Sequence, residues 1–196
     1  MKNKKIAYFT VGFALTLAAC APKSNLFVRD SALARGTKKV AVFPFQNANG
    51  RASEDTSVQK EMSSLTLKFL AHAQQELSNR YEFISQEKIM AALKEEGFEG
   101  FYPNKSMFRQ MYVQPTGYTI PEAVAIGKKL GADAIFLGEV AMSQTNPVFS
   151  MSVRMLDTKT GKVIVAASTA SGVGLSFTPW NAPMKKIVSR ISKEVP

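Results

Sequence analysis

The sequence predicts a single α/β (α+β) domain, a mixed β-sheet covered by helices in the order β-α-β-α-α-β-β-β-α. Three observations carry this. Apolar residues recur at helical spacing between positions 55 and 78. A continuous apolar run, AIFLGEV, follows Gly131-Ala132-Asp133 and suits a central strand covered on both faces. After it, Phe149, Met151, Val153 and Met155 alternate with Ser150, Ser152 and Arg154, the pattern of a strand with one buried face. The 196 residues are 45% hydrophobic and include 13 Phe, 5 Tyr and 1 Trp, enough for one ordinary core. No internal repeat or second domain is apparent.

The elements follow in order. Val40 to Phe45 (VAVFPF) reads as a short buried strand that Pro44 ends or confines to an edge. A polar loop with the Asn49-Gly50 turn signal leads to a helix over about 55–78, marked by Val58, Met62, Leu65, Phe69 and Ala73. Glu82 to Ser85 is a second strand. Ser85 is placed to cap the next helix, which carries Ile89, Met90 and Leu93 and stops at Gly97. Pro121 opens a helix over about 120–130 that ends at Gly131. Asp157 to Gly161 is a hairpin turn between the last two strands, the second being Lys162 to Ser171. Met184, Ile187, Val188, Ile191 and Val195 form the apolar stripe of a final helix.

The amino-terminal end has a different grammar. Lys2, Lys4 and Lys5 precede an uncharged stretch from Ile6 to Ala19. This is the n-region and h-region of a secretory signal peptide. At about 1.5 Å per residue the stretch makes roughly 21 Å of helix, too short for a hydrocarbon core of about 30 Å. Two cleavage readings stand. Ala19-Cys20-Ala21 satisfies a small-x-small rule, and cutting after Ala21 would release a soluble protein. Alternatively, Leu17-Ala18-Ala19-Cys20 resembles the lipobox of bacterial lipoproteins. That resemblance implies a signal peptide over 1–19, diacylglycerol and palmitate chains on Cys20, and, with Ala21 next, sorting to the periplasmic face of the outer membrane. Residues 20–37 then read as a lipidated tether and 38–196 as the domain. Leu26, Phe27 and Val28 interrupt the tether's polarity and are candidates to dock on the domain or on a neighbouring subunit.

Composition excludes several chemistries. One cysteine and one histidine rule out an internal disulfide framework and a Cys/His zinc site. His72 has no evident catalytic partners. Gly172-Val173-Gly174 lacks the rest of a dinucleotide motif, and Glu95, Glu96 and Glu99 read as a solvated helix end. No catalytic residue, cofactor, metal or small-molecule substrate is expected. Outside the leader, 22 basic residues face 15 acidic ones, an excess that favours anionic partners. Export makes nucleic acid an improbable one.

Two stretches are candidate contact surfaces. Phe98, Phe101, Tyr102, Phe108, Tyr112 and Tyr118, with Arg109 among them, have the composition of an interface core, or of a lid that buries its rings over the sheet. The final helix sets Lys185, Lys186, Arg190 and Lys193 away from its apolar stripe, as a lipid-lying helix or a sheet-packed one would. Trp180, just before it, suits a membrane or subunit boundary.

Three pieces together resemble a known family. KKVAVFPFQNANG with its long helix, YEFISQEKIMAALKEEGF, and AVAIGKKLGADAIFLGEV leading to FSMSVRMLDTKTGKVIVAAS are similar to the periplasmic domain shared by the curli-secretion protein CsgG and the amino-terminal domain of TolB. The penicillin-binding-protein activator LpoB and the polysaccharide-export lipoprotein PelC are similar too. The resemblance covers about residues 38–172. It implies a non-enzymatic envelope lipoprotein that self-associates or assists a secretion or polysaccharide-export assembly. A tethered activator of a peptidoglycan synthase is the second expectation, and a periplasmic hydrolase the third. The long alternating hairpins of a CsgG-type membrane barrel have no counterpart in the pattern of this sequence.

Overall fold

The computed structural model describes residues 23–48, 56–99, 102–103, 118–142, 149–171 and 181–195. Its elements in chain order are β1 (Lys23–Val28), α1 (Ser31–Gly36), β2 (Lys39–Val42), β3 (Gln46–Asn47), α2 (Thr56–Leu77), β4 (Glu82–Phe83), α3 (Gln86–Glu95), β5 (Phe98–Glu99), β6 (Tyr102–Pro103), α4 (Ile120–Lys129), β7 (Ala134–Met142), β8 (Phe149–Asp157), β9 (Val163–Ser171) and α5 (Asn181–Glu194). Seven strands form one mixed sheet in the order β1-β9-β8-β7-β2-β4, with β3 also on β7. β7 is parallel to β2 and β3 and antiparallel to β8, while β9 is antiparallel to both β8 and β1. The predicted mixed α/β domain and its order of nine elements are all present.

Alternation along the strands divides the core in two. Val40, Val42, Phe136, Met151, Val153, Met155, Val165 and Ala167 face one side, under α2 and α5. Ala41, Phe43, Ile135 and Leu137 face the other, under α3 and α4. Both faces of β7 are therefore covered over its first half, which is why its sequence reads as a continuous apolar run.

Pro44 acts as expected: β2 ends at Val42, and the chain rejoins β7 at Gln46 as β3. From Val42 to Gln46 the chain takes four steps while β7 takes three, from Phe136 to Glu139. The extra residue makes a bulge, since proline has no N–H for the ladder. Phe45 turns into the α2 side of the core, and its backbone N–H is taken by Thr66 Oγ1 at 2.8 Å. The α4 start is a complete capping box, in which Glu122 and Thr119 satisfy each other's backbone N–H groups, with Pro121 in the first turn. Ser85 holds the N-cap position of α3 but makes no capping bond from its side chain; that hydroxyl bonds the Glu87 side chain instead.

One expectation is corrected. Residues 20–37 are not all tether: Lys23–Val28 pairs in full register with β9, from Lys23 opposite Ala170 to Val28 opposite Val165. Leu26 and Val28 pack against the α5 side of the core, and α1 follows with Asp30 accepting from Leu33 N at 2.9 Å. The strand forms because β9 offers an otherwise open edge and because two alternate side chains find apolar cover there.

Candidate interaction surface

The aromatic stretch divides between interior and undescribed residues. Phe98 and Tyr118 are 4% and 3% exposed. Their rings meet edge to face at 6.3 Å between centroids, and Tyr118 meets Phe43 the same way at 5.5 Å. The Tyr118 hydroxyl donates to Pro44 O at 2.5 Å, and Gln46 Nε2 donates to Tyr118 O at 3.3 Å. Burial raises the phenol's pKa strongly; a separate hydrogen bond from the Gln46 side chain to the phenol opposes this, and the Glu139 charge adds to it. As candidate contact residues these two are therefore corrected: they pin the bulge after β2 to the α3 side of the core. A buried tyrosine with one good acceptor is a structural fastener. Phe101, Phe108, Arg109, Tyr112 and Trp180, the Tyr102 side chain and Cys20 lie outside the described residues.

The final helix places its apolar stripe inward. Met184, Ile187, Val188, Ile191 and Val195 are all buried in the core shared with α2. The stripe is thus the sheet-packed one of the two alternatives, and only the charged face of α5 meets solvent. There Lys185, Lys186 and Lys193 are exposed, and Arg190 Nε donates to Glu194 at 2.7 Å.

Among the described residues, two surfaces are open to a partner. On the α3–α4 side of the sheet, those helices cover β2 and the first half of β7, while Ser150, Ser152 and Arg154 of β8 and Ala166 and Ser168 of β9 are small or polar, and β1 adds Asn25 and the exposed Phe27. Ser150, Ser152 and Ala166 are half-buried there, and Asn25 and Ser168 are exposed. Arg154 on β8 donates to the Glu139 carboxylate on β7, an ion pair across this face. The sequence pattern of β8 placed Arg154 on the wet face; Glu139 is the single charge within the apolar run of β7.

The second surface is the β1 edge. Alternation sends Leu26 and Val28 inward and Phe27 outward, where it is 62% exposed. Its cross-strand neighbour is Ala166, with Ser168 opposite Asn25, so no tall side chain shelters the ring. Arg29, two residues on, is exposed. The one acid nearby, Asp30, is engaged at the start of α1.

Among the described residues, the glutamates at the end of α3 are held by a lysine. Glu95 and Glu96 both bind Lys129 Nζ, at 3.0 and 3.2 Å, which holds the lysine's pKa above its ordinary value. His72 is half-buried on α2. Among the described residues there is no cluster of His, Cys, Asp or Glu suited to a metal ion, and no helix is long and apolar enough to cross a membrane.

No protein-family model matches the chain, and no curated protein matches it. Solved structures do. The PelC dodecamer from Paraburkholderia phytofirmans is 13% identical, with 88% of this chain and 98% of that chain covered, at a TM-score of 0.51. Lipoprotein GNA1162 from Neisseria meningitidis is 14% identical over 81% of this chain and 99% of that one, at 0.47. The LpoB C-terminal domain from Escherichia coli is 14% identical over 70% and 84%, at 0.42. At such identities the likeness is one of fold: this chain shares the mixed α/β fold of a PelC subunit.

Proposed function

We propose that the protein is a lipoprotein anchored through Cys20 at the periplasmic face of the outer membrane. In this reading its α/β domain works without catalysis, by assembling with further copies of itself as an accessory of a secretion or polysaccharide-export complex. The observation that carries this is the distance from the anchor to the fold. Only Ala21 and Pro22 separate Cys20 from Lys23, the first residue of β1. Three Cα steps of an extended chain reach about 10 Å. A domain so held lies against the bilayer. Copies gathered at one height on a surface meet edge to edge, the geometry a membrane-lying ring needs. The synthase-activator alternative calls for a domain that reaches away from its membrane, and the pairing of β1 with β9 removes most of the tether that would supply that reach. The shared fold with a protein solved as a dodecamer supports the same choice.

Light scattering or native mass spectrometry of the full acylated chain in detergent tests this. A discrete large oligomer is expected, and a clean monomer at all concentrations overturns the ring. A hydrolase would be revealed by substrate turnover that a single acidic or hydroxyl substitution abolishes.

A further inference from the structure

We infer that the end of the sheet opposite Lys23 is a binding site for an acidic polysaccharide, held by a row of basic side chains with the Phe27 ring stacked beside it. This deepens the export reading above and rests on it, since a protein at the periplasmic face of the outer membrane meets such a polymer in transit.

Strand pairing brings the row together. Val28 at the end of β1 lies opposite Val165 on β9. Asp157 at the end of β8 lies opposite Ala134 at the start of β7, which in turn lies opposite Val40 on β2. Arg29, the Lys159–Lys162 connection from β8 to β9, and Lys38 therefore share one end of the sheet, and α1 carries Arg35 between β1 and β2 at that end. All five of these basic residues, Arg29, Arg35, Lys38, Lys159 and Lys162, are exposed. The acids of the same end are set back and engaged by the backbone. The Asp30 carboxylate accepts from Leu33 N, that of Asp133 from Lys38 N and Lys39 N, and that of Asp157 from Thr160 N.

The shape and chemistry of the row select its occupant. From β1 to β2 there are four strand spacings of about 4.8 Å, so the row extends over roughly 19 Å, a length suited to a linear polyanion rather than one small anion. Phe27, 62% exposed, stands two residues before Arg29. The C–H face of a sugar ring stacks on such an aromatic, while uronate carboxylates take charge-assisted hydrogen bonds from lysine and arginine. The membrane that holds the protein is a poorer fit, because Lys23, beside the anchor, is at the other end of β1, about 20 Å away. An acidic protein face fits less well too. Among the described residues of this end Phe27 is the one exposed large apolar side chain, whereas protein interfaces are built on clusters of buried anchors.

The site is tested by interferometry with the full acylated chain in nonionic detergent, on immobilised polygalacturonate and on uncharged dextran. Binding to polygalacturonate that salt screens away, with none to dextran, is expected. No binding to polygalacturonate, or equal binding to both polymers, overturns the site. Arg29→Gln, Lys159→Gln and Lys162→Gln together are expected to raise Kd about eightfold, roughly twofold for each lost surface ion pair. Lys68→Gln, Lys88→Gln and Lys185→Gln remove the same charge from exposed positions on α2, α3 and α5. Equal losses in the two triples show attraction by net charge alone and overturn the site. Phe27→Ala is expected to weaken binding as well, and an unchanged Kd overturns the ring's part in it. In the Cys20→Ser form, phosphatidylglycerol vesicles are offered beside the polymer. A first triple that loses the vesicles but keeps polygalacturonate makes the row a lipid surface and overturns the proposal. Folding is checked by the thermal transition, and oligomeric mass is measured on the same samples. A monomer that binds through the row refutes the ring and leaves the site standing, while an oligomer that does not bind refutes the site and leaves the assembly reading intact.

Discussion

Phe45 lies flat against Gly138, so closely that a Cβ added to the glycine would sit 2.1 Å from Phe45 Cε1. The ring belongs to the bulge after β2 and also packs on Phe69 of α2 at 5.3 Å between centroids. The glycine therefore lets the bulge fold down onto the centre of the sheet. Gly138→Ala has to displace a fully buried ring and is expected to cost about 1–3 kcal/mol. Gly36→Ala meets nothing within 4 Å and serves as the control, with a change within about 0.5 kcal/mol. Urea unfolding of the two variants beside the parent checks both. Equal stability of Gly138→Ala and the parent would show that the bulge is free to lift.

Asp133 joins three parts of the sheet at one point. Its carboxylate accepts from the backbone N–H groups of Lys39 and Lys38 at 2.9 and 3.0 Å. Its carbonyl accepts from Thr158 N at 2.9 Å, and Thr158 Oγ1 also donates to Ala132 O at 2.6 Å. The Lys39 N–H bond is the largest cause holding the carboxyl below its ordinary pKa, with the Lys38 N–H and the Lys159 and Lys39 charges adding to it. A depressed folded-state pKa means stability that is present above the unfolded value, about 3.9, and is lost as pH falls through the folded one. Asp133→Asn is expected to cost about 1 kcal/mol at neutral pH. The gap between variant and parent closes in acid. A gap that stays constant down to about pH 3 would sever the carboxylate charge from the joint.

What the sequence made legible was the part of the fold whose signals are local. The helical stripe of α2, the apolar run of β7, the alternation of β8 and the turn at Asp157–Gly161 each announce themselves within a few residues. Gly161, at φ 70°, supplies the left-handed position of that turn. β1 was hidden for the opposite reason. Lys23, Ser24 and Asn25 are polar in a row, and the pairing that makes them a strand lies on β9, at the far end of the chain. Asp30 ahead of Ser31-Ala32-Leu33 is the capping signal of α1, too short a helix to show an apolar period of its own. Among the candidate contact residues, composition could not tell interface from interior for Phe98 and Tyr118, because both environments favour aromatics and only the packing of Phe98 on Tyr118, and of Tyr118 on Phe43, separates them.

That packing gives a prediction that distinguishes core from interface. Phe98→Ala is expected to destabilise the domain by about 3–5 kcal/mol, and Tyr118→Phe by about 1–2 kcal/mol through the lost bond to Pro44 O. Whatever stays folded keeps the oligomeric mass of the parent. The raised phenol pKa adds a pH signature. Stability from a phenol held protonated in the fold is complete below the unfolded value of about 10 and declines as pH rises past it. Tyr118→Phe therefore loses less stability than the parent between neutral and alkaline pH. A variant that unfolds no more easily but scatters as a smaller species would return these rings to the subunit interface.

The anchor is tested by the thiol itself. Each buried acyl CH₂ contributes about 0.8 kcal/mol, so several chains on Cys20 hold a protein that a single chain would hold only marginally. Cys20→Ser removes the attachment point and touches no described contact, because β1 starts at Lys23 and its ladder with β9 is complete without it. The variant is expected to move from the membrane to the soluble fraction with an unchanged thermal transition. The separation is made in high salt, which screens basic side chains but leaves acyl insertion in place. Membrane retention of Cys20→Ser under those conditions, or release of the unaltered protein by cleavage after Ala21, would overturn the lipoprotein reading.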